Sequence, residues 1–193
     1  MRVRGGRVAK KNNWTPDHKN FYARPQSEIQ IERTDPGPGY RHVVTVAQLR
    51  QFLAILPDWE DLAIGLNVVS ISFGNEEWLG LSEPGAVVIT AWERDLWWWV
   101  SRARAERDAE LLALLEVESA PVEKYPQFVE LRWTETQARA YMLLDVLVHE
   151  LGHHHDRMTT RGDRAPRGEP YAEAYARRVR TEIWPLYVLQ FRI

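Results

Sequence analysis

Apolar positions recur along this 193-residue chain at two spacings, every second residue or every third to fourth, and the switches between them mark the elements. SEIQIER (residues 27–33) alternates as a short strand, and the proline- and glycine-rich RTDPGPGYR (33–41) ends it in a loop. TVAQLRQFLAIL (45–56) then places Val46, Leu49, Phe52, Leu53 and Leu56 at helical spacing, with Thr45 as N-cap and Pro57 as stop. LNVVSISF (66–73) and GAVVITAW (85–92) are β-branched runs that predict two strands, with a short third over 78–81 between them. A long helix is expected over 93–118, QFVELRW (127–133) alternates as a strand, and Thr134 with Gln137 forms a capping box for the helix that comes next.

That next helix is almost wholly apolar. Ala138, Tyr141, Met142, Leu144 and Val148 intermix with Leu143, Val146, Leu147 and Leu151, which places it at the centre of the fold. After the loop DRMTTRGDRAPRG (156–168), Gly168 and Pro170 mark the start of a last helix, whose tail TEIWPLYVLQF packs around a kink or break at Pro185. Trp97, Trp98 and Trp99 would span about 200° of a helix and cannot all face one core, so they serve either as packing with one ring exposed or as a partner surface.

Composition narrows the picture. The length fits one domain, here residues 14–193 behind a basic arm (1–13), and 45% hydrophobic residues are ample for a core. A net charge of −2 gives no global attraction to nucleic acid, which leaves only the arm, with Arg2, Arg4, Arg7, Lys10 and Lys11, for such a contact. The absence of cysteine excludes Cys-ligated zinc, so any metal must use histidine and carboxylate. No signal-like apolar region opens the chain and no apolar run reaches about 18 residues, so no membrane contact is expected and the cytoplasm is the expected compartment.

The chemistry is concentrated in DVLVHELGHHHD (145–156), which holds four of the six histidines. His149 and His153 stand four residues apart on one helix face, within reach of a single zinc ion. Glu150 is turned about 100° from His149, where it can take a proton from water at the metal. A third ligand is required, and Thr159 stands where a metzincin would have its third histidine. Asp163 is one candidate; Glu169, sixteen residues beyond His153 at the start of the last helix, is the stronger, with Glu173 one turn later on the same face. Asp145, one turn before His149, either accepts from a ligand imidazole or pairs with an arginine. His154 and His155 point elsewhere and are expected to be exposed or capping, with contact to a second metal or a transition state as the other reading. Tyr171 and Tyr175 either pack the last helix or stabilise an oxyanion.

HELGH followed by Glu169, Ala172, Tyr175 and Ala176 in an E-x-x-A-x-x-Y-A arrangement resembles the gluzincin metallopeptidases, especially the minimal ImmA/IrrE-like group. The resemblance covers residues 145–176. It implies Glu169 as third zinc ligand and Glu173, where the family has Asp or Asn, as the residue supporting a ligand from behind; the longer Glu173 either does so for His149 or competes with Glu169.

These readings combine into an α+β, zincin-like domain: a small twisted sheet with an edge strand, packed on an active-site helix and followed by a ligand-bearing helix. The expected function is zinc-dependent hydrolysis of a peptide or protein substrate lying along the edge strand, with restricted specificity because an open site would endanger its surroundings. The alternatives are a non-catalytic zinc-containing binding or regulatory module of the same fold and, on the arm and the family likeness alone, a DNA-associated regulator.

Overall fold

β-branched runs and aromatic runs sort into separate sheets. The structure, a computed structural model, describes residues 2–4, 7–9, 28–160 and 166–191. In the basic arm β1 (Arg2–Arg4) pairs antiparallel with β2 (Arg7–Ala9). Next come β3 (Gln30–Arg33), β4 (Tyr40–Arg41), helix α1 (Val46–Leu53) and the single turn α2 (Trp59–Leu62). Then follow β5 (Val68–Ser72), β6 (Gly80–Glu83), β7 (Ala86–Thr90), β8 (Trp92–Glu93) and β9 (Trp97–Ser101). Helices α3 (Arg102–Arg107) and α4 (Ala109–Leu114) lead to β10 (Glu118–Pro121) and β11 (Phe128–Arg132). The chain ends in α5 (Glu135–Tyr141), a π-helical segment (Met142–Leu147), α6 (Val148–Thr159) and α7 (Glu169–Phe191).

The architecture is α+β with several small sheets. The four-stranded sheet has the order β3-β5-β7-β6, with β3, β5 and β7 parallel and β6 antiparallel at the edge. Val69, Ile71, Val87 and Ile89 are buried in its central strands, as expected where helices and loops cover a parallel sheet. A second, antiparallel sheet has the order β10-β11-β9, and β4 pairs with β8. Met142, Leu143, Leu144, Leu147 and Leu151 from the central helix meet Leu49 and Phe52 of α1 and Val179, Ile183 and Tyr187 of α7 in one core. Each such side chain contributes about 1.5–3 kcal/mol relative to exposure. No helix among the described residues is long and apolar enough to cross a membrane.

Several expected elements change. The helix over 93–118 is replaced by β8, β9, two short helices and β10. Leu96, at φ 56°, reverses the chain, and in the strand after it the three tryptophans alternate faces. Trp98 turns inward to stack on Trp92 at 3.9 Å, while Trp97 and Trp99 remain 44% and 46% exposed. Strand geometry thus seats one ring and frees two. Helix α1 stops at Leu53, short of Pro57, and the third strand of the larger sheet begins two residues later than expected and reaches Glu83. Helix α7 runs through Pro185 without a break, because Ile183 and Tyr187 on either side of it are held in the same core.

Candidate metal centre

The helix bearing the histidines is anchored at its start and widened in its middle. The Thr134 hydroxyl accepts from the Gln137 N–H at 3.2 Å, and the Gln137 side chain accepts from the Thr134 N–H at 2.7 Å, completing the capping box. The π turn between α5 and α6 holds one extra residue per turn at the approach to the site, where such insertions often accompany function. His149 and His153 then share one face of α6, with ring centroids 4.7 Å apart.

Helix α7 returns a carboxylate to that face. Gly152 permits the crossing: a Cβ there would stand 3.0 Å from the Ala172 Cα and 3.2 Å from its carbonyl oxygen, so the two helices touch through backbone. Asp156, 1% exposed, holds the start of α7 by accepting from the Arg167 Nε at 2.8 Å and the Gly168 N–H at 2.8 Å. Gly168 takes φ 75°, a turn conformation that suits glycine, and Glu169 comes next as the first residue of the helix.

The result is a triangle of donor atoms. The Nε2 atoms of His149 and His153 are 3.1 Å apart, and the Glu169 carboxylate oxygens lie 3.1 Å from the first and 3.3 Å from the second. Two ligands on one zinc at about 2.0–2.1 Å in tetrahedral geometry stand about 3.3 Å apart, and the two carboxylate distances belong to different oxygens, Oε2 toward His149 and Oε1 toward His153, so the three side chains are close enough to share one ion. Among the described residues this is the one group of three such side chains with ligand atoms close enough to share an ion.

Glu150 stands beside this triangle. A Cβ at Gly80, the first residue of edge strand β6, would lie 2.7 Å from the Glu150 Cγ and 2.8 Å from its Oε1, so the glycine makes room for the carboxylate. Burial pushes the Glu150 carboxyl up to about 7, the Glu169 charge adding to this and the Arg157 guanidinium opposing it. Burial also holds the His153 imidazole below its ordinary value, against the pull of Glu169, which favours the neutral ring that a metal binds. Arg157 ties α6 to the edge strand, donating to the Ser82 hydroxyl at 2.6 Å and to the Glu83 carbonyl at 3.1 Å.

A cleft of about 470 Å³ opens over Glu150 and His149, floored by Tyr141, Asp145 and Val146 of the same helix face. Residues 75–80 form one wall and residues 97–100 of β9 the other. On the far side of His149 a second cleft of about 330 Å³ is shared with Glu169 and Glu173.

The remaining residues divide. Asp145 accepts from Arg180 of α7 at 2.6 Å, the arginine pairing of the two expected partners; burial raises its carboxyl and Arg180 offsets part of the rise. Glu173 is exposed on the rim of the second cleft. The Tyr171 hydroxyl lies 2.6 Å from the His155 Nδ1, with the Arg167 guanidinium over its ring, and the Tyr175 ring packs 5.2 Å from the His155 ring. Tyr171 is therefore engaged with His155 and Arg167, and Tyr175 with His155 and with the Arg178 guanidinium 5.1 Å from its ring centre. His154, expected to be exposed or capping, is instead 1% exposed, its Nε2 bonded to the Ile64 carbonyl at 3.0 Å, because its face of α6 is covered by the turn after α2. Asp163 lies outside the described residues. Gly80, Arg157, Asp156 and Arg180 carry no local sequence motif, and each acts through a partner distant in the chain. Compared with known proteins, the chain matches no family model, no curated protein and no solved structure.

Proposed function

We propose that the protein is a zinc-dependent metallopeptidase with a gluzincin-type ligand set, His149, His153 and Glu169, on a zincin-like variant of the α+β architecture. The observation that carries this reading is the group of three donor side chains close enough to share one ion, of which His149 lines the cleft together with the Glu150 carboxylate, which stands outside the group. A purely structural site has no need of such a base. The edge strand β6 alongside α6, and the return of α7 to supply a carboxylate, support the same reading.

Zinc held by His149, His153 and Glu169 would supply Lewis acidity to a scissile carbonyl and would bring the loss of a proton from water within reach of neutral pH. Glu150 takes that proton and delivers it to the leaving amine. Gly80 leaves its carboxylate the space to move between the two, and Arg157 keeps the edge strand in register with the helix. Asp145, fixed by Arg180, holds negative charge one turn behind His149. The substrate is a peptide or protein segment that can enter the cleft extended.

Metal analysis tests the site and turnover tests the reaction. The purified protein is expected to hold about one zinc ion, and His149→Ala or His153→Ala to lose it. Glu150→Gln should keep zinc and fold while losing peptide cleavage by a factor on the order of 10² or more. Glu169→Ala should weaken metal binding; if Glu173→Ala strips the metal instead, the two carboxylates are reversed. Full zinc in both histidine variants removes the site, and zinc-loaded protein that cleaves no peptide is a non-catalytic binding module.

A further inference from the structure

Four consecutive residues of one strand, 97–100, line the cleft beside His149. Side chains of a strand alternate between faces, so four in a row reach one cavity only if the strand presents its edge to it. Among the described residues β9 pairs with β11 alone and is the outer strand of its sheet. Just before it the Leu96 carbonyl accepts from the Trp133 N–H at 2.8 Å, and just after it the Arg102 N–H donates to the Gln127 carbonyl at 2.8 Å. Antiparallel alternation then directs the even-numbered backbone groups to β11 and those of Trp97 and Trp99 to the open edge. Among the described residues the backbone N–H and C=O groups of Trp97 and Trp99 on this side thus have no strand partner, and they carry the spacing of an extended chain along the cleft.

The charge of the cleft is one-sided. Its lining holds five carboxylates, Glu76, Glu77, Glu93, Asp145 and Glu150, against one guanidinium, Arg104. Asp145 is paired with Arg180, and Arg104 is directed to Asp108 at 3.6 Å. Glu150 serves the metal centre. Glu76, Glu77 and Glu93 remain, and among the described residues none of the three has a basic side chain within ion-pair distance. Burial raises the Glu93 carboxyl, and the charges of Glu76 and Asp95 raise it further, so these acids share a field that a cation would relieve. Trp78 and Trp97 to Trp99 line the same space, giving aromatic surface suited to an alkyl stem with a cationic head.

We propose that this cleft selects a peptide segment carrying a lysine or arginine, bound as an added strand on the open edge of β9 with its cationic side chain among Glu76, Glu77 and Glu93. Cleavage of the bound segment rests on the peptidase reading, and the basic residue names the substrate class of that site.

Binding and turnover separate the two. The probes are capped alanine- and serine-based hexapeptides that differ at one central residue: Lys, Arg, Leu or Glu. Binding is read by calorimetry and tryptophan fluorescence on zinc-loaded Glu150→Gln protein, so that no cleavage intervenes. The Lys and Arg peptides are expected to bind about tenfold more tightly than the Leu peptide at low salt, with the difference fading as salt is raised. The difference should collapse in the Glu76→Gln/Glu77→Gln/Glu93→Gln variant, whose substitutions are all at exposed positions. N-methylation of the Lys peptide should weaken binding at alternate residues only. Equal binding of all four peptides, a preference that survives the triple substitution, or N-methylation without a period of two would overturn the proposal. A Lys and Arg preference with no cleavage by zinc-loaded wild type upholds it and removes the peptidase reading; cleavage indifferent to the central residue does the opposite.

Discussion

Asp156 holds the turn before Glu169, the proposed third ligand, and its replacement makes that role measurable. Its carboxylate, 1% exposed, accepts from the Gly168 N–H at 2.8 Å, the Arg167 Nε at 2.8 Å and the Thr160 hydroxyl at 3.2 Å. Arg167 is 52% exposed and can return to water, so its loss adds little. The charged bond to Gly168 is worth about 1.5–3 kcal/mol, while the Thr160 hydroxyl, 2.7 Å from the Asp156 backbone carbonyl, keeps that acceptor and adds at most about 0.5–1 kcal/mol through the carboxylate. Asp156→Ala should therefore cost about 2–4 kcal/mol in stability, and Asp156→Asn roughly half, since the amide keeps one acceptor oxygen. The pH dependence has a defined sign. Burial pushes the Asp156 carboxyl up, but bonds from Arg167, Gly168 and Thr160 outweigh it and hold the group below the ordinary carboxylate range. A depressed folded-state pKa gives stability that is full above the unfolded value, near about 3.9, and is lost as pH falls through the folded value. Urea unfolding of metal-free wild type and Asp156→Asn should thus show a constant gap from pH 7 to about 5 that narrows below about 4. Zinc affinity should fall with the same substitution, because Glu169 directly follows the turn that Asp156 holds. A gap under about 0.5 kcal/mol at pH 7, or one that persists undiminished in acid, would refute the reasoning.

Two further substitutions probe the surroundings of the site. Gly80→Ala places a methyl group 2.7 Å from both the Glu150 Cγ and the Val146 Cγ1 and must displace the carboxylate. Peptide cleavage should fall by about 10- to 100-fold with zinc content unchanged; cleavage within about twofold of wild type would mean that Glu150 does not act from where it stands. Trp92→Ala removes a fully buried ring that stacks on Trp98 and meets Trp133 edge-on at 5.1 Å. It should cost about 3–5 kcal/mol by denaturant titration, and a loss under about 1.5 kcal/mol would show that the aromatic cluster closes over the gap.

Local signals are legible where the local chain makes the decision. The capping residues Thr45 and Thr134, the β-branched core of β5 and β7, and the four-residue spacing of His149 and His153 all act within one or two turns. Residues 93–118 mislead because the apolar spacing from Ala109 to Leu114 is helical, while the aromatic run before it belongs to a strand whose partner, β11, comes about thirty residues later in the chain. Asp145 can be assigned to Arg180 only once α7 lies against the central helix, and His154 is buried only by the turn at Ile64, ninety residues away. The π turn leaves no mark at all: a run as apolar as MLLDVL suits either winding, and the packing of Met142, Leu143, Leu144 and Leu147 in the core decides between them.

That turn governs how the helix tolerates change. Before it, Thr134, Ala138 and Tyr141 are keyed to the capping box and the tryptophan cluster; after it, His149, Glu150 and His153 are keyed to α7 and the edge strand. The wide turn lets the two stretches keep independent rotational phases about one axis. A return of Met142–Leu147 to α-helical winding with every residue kept would swing one stretch by about 100° against its surroundings, whereas the same change with one residue lost would leave both stretches in phase. Substitutions at Met142, Leu143, Leu144 and Leu147 answer to the core, those at Asp145 and Val146 to the cleft, and the winding of the segment to the proposed metal centre.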